Sequence, residues 1–136
     1  MKEIQNDGKG FHMYAGNAYN TYTENNVGIE SKEKLIEILY EGVLRFNAQA
    51  KKALKDKNVE KKFYWANRSI AIIVELIETL DMKAQGNISA YLSGLYNYQI
   101  QLLSEALVEN DTTKIDECTN VFKGLLEAWR EATHVA

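Results

Sequence analysis

From Ser31 onward, apolar residues return at steps of three and four, the spacing of one face of an α-helix. Leu35, Leu39, Gly42, Phe46, Ala50 and Ala53 mark the first such face. Ser31 is placed to cap it, and Glu33 and Glu37 follow where the helix dipole favours negative charge. Lys51, Lys52, Lys55 and Lys57 crowd its far end, and Asn58 caps a second helix. That helix carries Phe63, Ala66, Ile70, Ile73, Ile77 and Leu80, ends near Met82, and is followed by a left-handed break at Gly86. A third helix, from Asn87 or Ser89, carries Ile88, Leu92, Leu95, Leu102, Leu103 and Ala106. Asn110, Asp111 and Thr112 form the next turn and cap. The fourth helix repeats the step with Ile115, Cys118, Phe122, Leu125, Trp129 and Ala132.

Four helices of about 20–26 residues joined by turns of about 2–6 favour antiparallel neighbours. The predicted fold is all-α: an antiparallel up-down-up-down four-helix bundle over residues 31–136, with an N-terminal arm or short helix, residues 14–30, packed on it. Residues 1–13 have no apolar period and end in His12-Met13, the form of a cloning leader or a disordered N-terminus, with Met13 as a natural start. The arm itself is mostly polar, yet Tyr19, Tyr22, Val27 and Ile29 are set into it at intervals.

Composition narrows the function classes. A chain of 136 residues is one domain's worth and can bury a core without staples. It contains no proline, which favours helix and short connections. The net charge is −3, so no broad basic field is available for nucleic acid. A single cysteine excludes an intrachain disulfide and suits a reducing compartment. The longest apolar runs fall short of the ~20 residues that cross a bilayer, and there is no secretory-signal pattern, so no membrane insertion is expected and the location read from the chain is cytoplasmic.

Catalytic constellations are missing from the pattern. His12 and His134 are the histidines, one at each end of the chain. No Glu-x-x-His pair for a di-iron site, no Cys-x-x-Cys-His for haem and no phosphate-binding glycine loop occurs. Cys118 lies on a core seam, and Glu75 and Glu78 are expected on a solvated face. The expectation is a non-enzyme without cofactor or metal.

The chain carries more apolar and aromatic residues than one stripe per helix needs. Ile36, Tyr40, Val43 and Leu44 form a second stripe on the first helix, and Trp65, Ile72 and Leu76 do so on the second. Either the core face is simply wide, or these residues line a groove for a partner helix. On the third helix, Tyr91 and Tyr98 are seven apart and share a face, and tyrosine joins apolar area to a tip that can stay wet. Tyr19, Tyr22 and Val27 then read as a cover for such a groove, or as a permanent piece of core.

Particular stretches carry a resemblance. "KLIEILYEGVLRF" (Lys34–Phe46), "LIETLD" (Leu76–Asp81), "LSGLYNYQIQLLSEALVENDTTKIDE" (Leu92–Glu117) and "GLLEAW" (Gly124–Trp129) resemble the FliS family of flagellin-specific export chaperones. "AYNTYTENNVGIES" is similar to that family's N-terminal segment, so the likeness is collinear from about Tyr14 to Ala132. The chain departs from the family pattern at Ser31-Lys32, where Ser-Pro is usual, and at Gln85-Gly86, where Gly-Gly is common. The resemblance implies a four-helix bundle that binds the disordered C-terminal segment of flagellin, prevents early polymerisation, and assists delivery to the flagellar type III export apparatus. It also implies that the N-terminal segment, with Tyr19, Tyr22 and Val27, covers part of the flagellin site and is displaced, and that Tyr19 is a candidate contact for the export gate protein. A co-chaperone is a further candidate partner. The partner-binding set expected from residues and resemblance together is Tyr19, Tyr22, Val27, Ile36, Tyr40, Val43, Ile72, Leu76, Tyr91 and Tyr98. The alternative is a helical-bundle adaptor for a folded regulatory or co-chaperone partner.

Overall fold

A computed structural model describes residues 31–83, 86 and 88–134. They form four helices: α1 (Lys32–Lys55), α2 (Val59–Glu78), α3 (Ile88–Glu109) and α4 (Thr112–Thr133). The leader, Tyr19, Tyr22 and Val27 all lie outside the described residues.

Local chemistry sets the helix starts. Ser31 Oγ accepts from the backbone N–H of Lys34 at 3.1 Å, Asn58 Oδ1 from Lys61 at 3.0 Å, and Asp111 Oδ1 from Thr113 at 2.9 Å. The two short turns need a left-handed residue each, and Lys57 (φ 57) and Asn110 (φ 54) supply it. Asparagine takes this conformation readily because its short amide can bond locally. Gly86 (φ +86) does the same in the longer α2–α3 connection. The second helix stops at Glu78 with Thr79 as its C-cap, earlier than the expected end near Met82. Thr79 turns its hydroxyl onto Leu76 O at 2.6 Å, which diverts the last turn from propagating.

The helices pack as a closed square, α1 on α2, α2 on α3, α3 on α4 and α4 back on α1. Cross-helix bonds show that the neighbours run antiparallel. Lys62 at the start of α2 donates to Leu107 O (2.9 Å) and Asn110 Oδ1 (2.6 Å) at the end of α3. Arg130 near the end of α4 reaches Glu37 Oε2 (2.8 Å) in the first turns of α1, and Lys51 meets Asp116 at 2.8 Å farther along.

In a square bundle each helix touches two neighbours, so its buried face is wider than a single seam. That settles the second stripe in part. Tyr40 is 3% exposed, and Val43 and Leu76 are fully enclosed, so all three belong to the core. On α2 the buried line runs Lys62, Ala66, Ser69, Ile73 and Leu76, which keeps Ala66 and Ile73 of the expected seam and falls one position before Phe63, Ile70 and Ile77. Phe63 is 43% exposed, and Ile70 and Ile77 are half-buried. The offset arises because Lys62 and Ser69 occupy core positions through hydrogen bonds that apolar spacing does not register. Ile88 and Ala132, also expected on seams, are exposed.

Two layers cross the centre. The Tyr40 and Tyr96 hydroxyls bond at 2.7 Å across the diagonal, and Phe122 packs on both rings, stacked on Tyr96 at 6.2 Å and tilted to Tyr40 at 5.8 Å. Burial pushes both phenol groups above their ordinary titration range. Below lies a polar layer. Asn47, with no exposed surface, donates to Thr119 Oγ1 at 3.2 Å and Cys118 Sγ at 3.4 Å, and accepts from the Ser69 hydroxyl at 2.6 Å. One side chain thereby fastens α1 to α2 and α4.

Asn47→Ala leaves the Ser69 and Thr119 hydroxyls without their buried partner and opens a void. Urea unfolding should show a loss of about 2–3 kcal/mol. A change below about 0.5 kcal/mol, the size of an ordinary surface substitution, would contradict the fastening role.

Candidate functional site

The end of the bundle where α1 begins and α2 ends holds a cavity of about 460 Å³. Its apolar walls come from three helices and the segment after α2: Leu35, Ile36 and Tyr40 from α1, Leu92 and Tyr96 from α3, Trp129 from α4, and Leu80 just past α2. Lys32, Glu33, Asp81 and Ser89 give it a polar rim. An apolar floor with a few polar groups at the edge suits an amphipathic segment better than a small polar metabolite.

The walls are braced from below and behind. Trp129 sets its ring edge-on to Tyr40 at 6.4 Å, and its indole N–H donates to Glu33 O at 2.9 Å, tying the last turns of α4 to the first turn of α1. Arg130 joins Glu37 and also pairs with Glu41, while Lys34 (3.7 Å) and His134 (3.2 Å) approach the other Glu37 oxygen. Glu37 is 4% exposed, and the Arg130 guanidinium holds its carboxyl below the usual range despite the opposing effect of burial.

The expected partner-binding residues separate into three positions. Ile36 and Tyr40 line the cavity, Tyr40 as part of its floor. Val43 and Leu76 are core side chains that a ligand reaches only by opening the bundle, and half-buried Ile72 fills the α1–α2 contact, where its Cδ1 lies 2.7 Å from the place a Cβ on Gly42 would take. Tyr91 and Tyr98 are 64% and 52% exposed on the outer side of α3, with open space over Gly94 between them. The same helix sends Leu92 and Tyr96 into the cavity, while Tyr91 and Tyr98 lie on a different face of it and do not line the cavity. Leu80, Leu92 and Trp129 read in the sequence as seam residues, and the signal that places them at an opening is their position at helix ends, where a seam runs out of partners.

Glu75, expected on a solvated face, is half-buried in the last turns of α2, and burial pushes its carboxyl up to about 7. Cys118 is buried and its thiol is pushed up to about 11 by the same cause, which leaves it protonated and unreactive at neutral pH. Among the described residues no group of His, Cys, Asp and Glu side chains could hold a metal ion, and no helix is long and apolar enough to cross a membrane.

Comparison with known proteins gives a consistent result. The family model described as "Flagellar protein FliS" matches residues 15–136. The chain is 55% identical over 114 residues to the flagellar secretion chaperone FliS of Campylobacter jejuni, covering 84% of this chain and 89% of that protein. It is 32% identical over 128 residues to the flagellar secretion chaperone FliSB of Pseudomonas aeruginosa, covering 90% of this chain and all of that protein (100%). Against the flagellar secretion chaperone FliS of Bacillus subtilis the identity is 29% over 120 residues, covering 88% and 89% of the two chains.

The environment of Glu75 has a signed consequence. Its folded-state pKa of about 7 stands above the ordinary value of 4.5. Below the lower value the group is neutral in both states and nothing is lost. As pH rises through this window the unfolded chain ionises freely and the folded one does not, so stability falls, by on the order of 2 kcal/mol. Glu75→Gln should therefore match the parent protein in urea unfolding at pH 4 and exceed it at pH 8. Parallel stability curves across that range would contradict the assignment.

Proposed function

The chain belongs to the FliS family, and from that premise we propose that it is a cytoplasmic chaperone for the C-terminal segment of flagellin. It keeps that segment from polymerising early and assists its delivery to the flagellar type III export apparatus. The observation that supports this reading best is that one helix, α3, both walls the end cavity with Leu92 and Tyr96 and presents the exposed Tyr91 and Tyr98. One amphipathic segment could seat apolar residues against Ile36, Leu80, Leu92 and Trp129 and continue along α3 over the tyrosines. Binding through helix-forming apolar contacts suits a client that is unstructured alone, because ordering it costs about 2–5 kcal/mol and keeps the complex releasable.

The arm fits the same scheme. α1 begins at Lys32 behind the Ser31 cap, and Lys32 and Glu33 stand on the cavity rim. In this proposal Tyr19, Tyr22 and Val27 compete with flagellin for the apolar surface and, once displaced, become available to the export gate protein, with Tyr19 the foremost candidate. Competition of this kind lowers apparent affinity by the fraction of molecules whose site is covered. A co-chaperone would find its place on bundle faces that flagellin leaves free.

Titration calorimetry with a peptide of the C-terminal segment of flagellin from the same source tests the reading. A one-to-one complex with a negative heat-capacity change is expected, and far-UV circular dichroism should show helix gained on mixing. Tyr91→Ala combined with Tyr98→Ala should weaken binding by about tenfold or more with an unchanged melting temperature, since both side chains are more than half exposed. No binding at micromolar concentration would overturn the proposal, and binding without gain of helix would favour the adaptor for a folded partner.

A further inference from the structure

Along the outer α1–α2 groove, away from the cavity, aromatic rings and arginines are interleaved. Phe46 of α1 stacks on Trp65 of α2 at 5.6 Å and 28°, and Tyr64 meets Trp65 edge-on at 4.8 Å. The guanidinium of Arg45 lies 5.1 Å from the Phe46 ring centre, and that of Arg68 lies 4.7 Å from the same ring and 5.6 Å from Tyr64. Arg45, Tyr64 and Arg68 are exposed. None of these residues lines the end cavity.

The charges here are unusual for this chain. Arg130, the remaining arginine, is paired with Glu37 and Glu41. Arg45 and Arg68 make neither an ion pair nor a hydrogen bond among the described residues, although both crowd one ring. An aromatic face attracts a cation but offers no lone pair to the five guanidinium N–H groups, which keep their capacity to grip a carboxylate. Holding two like charges on one ring, in a protein of net charge −3, opposes Coulomb repulsion and leaves a local positive site in an acidic surround. Lys52 stands seven residues after Arg45 and Lys61 seven before Arg68, so each lip of the groove carries a second cation on the same helix face. Lys52 is bonded to Asp56 at 3.0 Å.

We propose that this groove is a docking site for an acidic peptide segment bearing an aromatic or aliphatic side chain. Carboxylates of the segment pair with Arg45 and Arg68, whose orientation the rings have already restricted, and the apolar side chain covers Tyr64 and Trp65. Pre-orientation lowers the entropy lost on pairing, which is the usual weakness of exposed ion pairs. The site does not depend on the flagellin reading, since it shares no residue with the cavity or the α3 tyrosines.

The probe is a fluorescently labelled, glutamate-rich Glu–Tyr copolymer, with binding to the full chain followed by anisotropy at low salt. Arg45→Gln combined with Arg68→Gln should weaken it by about tenfold. Lys83→Gln combined with Lys123→Gln, an equal loss of charge elsewhere on the surface, should change it by less than about twofold. On the unmutated protein, the Nε–H resonances of Arg45 and Arg68 should shift on titration while that of Arg130 stays in place, a readout that needs no variant to fold. Equal weakening by the two double variants, absence of binding, or tighter binding of a single-stranded oligothymidine than of the copolymer would each overturn the proposal.

Discussion

The buried amide of Asn47 is the contact on which the arrangement of the helices most depends. Apolar side chains attract without choosing a register, since a leucine one turn away packs almost as well. An enclosed amide has no such freedom, because leaving its donors and acceptor unpaired costs more than a lost contact. Asn47 finds Ser69 on one side and Cys118 and Thr119 on the other, and α1, α2 and α4 are thereby held at one longitudinal setting. With that setting, Gly42 comes opposite Ile72, the Tyr40 and Tyr96 hydroxyls meet across the diagonal, and Trp129 reaches the first turn of α1. The end cavity is a downstream result of the same register.

The two ends of the bundle are finished differently. At the α1–α2 turn end, Lys62 donates to the Leu107 carbonyl near the end of α3 and to the Asn110 side chain in the turn, so one of the carbonyls that a helix end leaves unpaired is satisfied. At the other end α2 is short, 20 residues against 24 for α1. The difference is one turn, about 6 Å of rise. Where that turn is missing, Leu80 and the walls of the cavity take its place. α3 is the helix that borders this gap, and it walls the cavity with Leu92 and Tyr96. It is also the helix whose enclosed polar group, Gln99, has no bonded partner among the described residues. Polar bonds tie it to its neighbours at Tyr96, at the Leu107 carbonyl and at Glu105, and it also carries the exposed tyrosines.

Much of the architecture was legible in the chain. The caps at Ser31, Asn58 and Asp111 follow from residue type, and apolar spacing places Leu35, Leu39, Gly42, Ala50 and Ala53 of the first helix and Ile115, Cys118 and Phe122 of the fourth in the core. Phe46, Leu125 and Trp129 are half-buried, Ala132 is exposed, and the buried Glu37 and Asn47 lie outside that pattern. The family likeness in "LSGLYNYQIQLLSEALVENDTTKIDE" and its companions pointed to the family that the whole-chain comparison then showed. On the second helix Ala66 and Ile73 are buried as their spacing implies, but Lys62 and Ser69 take core places ahead of Phe63 and Ile70 by virtue of bonds to Leu107, Asn110 and Asn47, partners distant in sequence. Val43 and Leu76 could be core or groove by period, and only the closed square decides for core. Glu75 illustrates the converse, a carboxyl on what spacing marks as a polar face that is nonetheless half-buried. The grouping of Arg45, Phe46, Tyr64, Trp65 and Arg68 needs two helices at a fixed register, so neither segment alone announces it.

In the proposed function, an amphipathic segment of flagellin is received where α2 stops short and α3 runs on. Amide hydrogen exchange of this protein, with and without the C-terminal flagellin peptide, tests it most directly. Protection should rise around Ile36, Leu80 and Leu92 and along α3 through Tyr98, while the α1–α2 turn and the Arg45–Arg68 groove stay unchanged. Protection confined to that groove, or no change at the cavity end under saturating peptide, would contradict it.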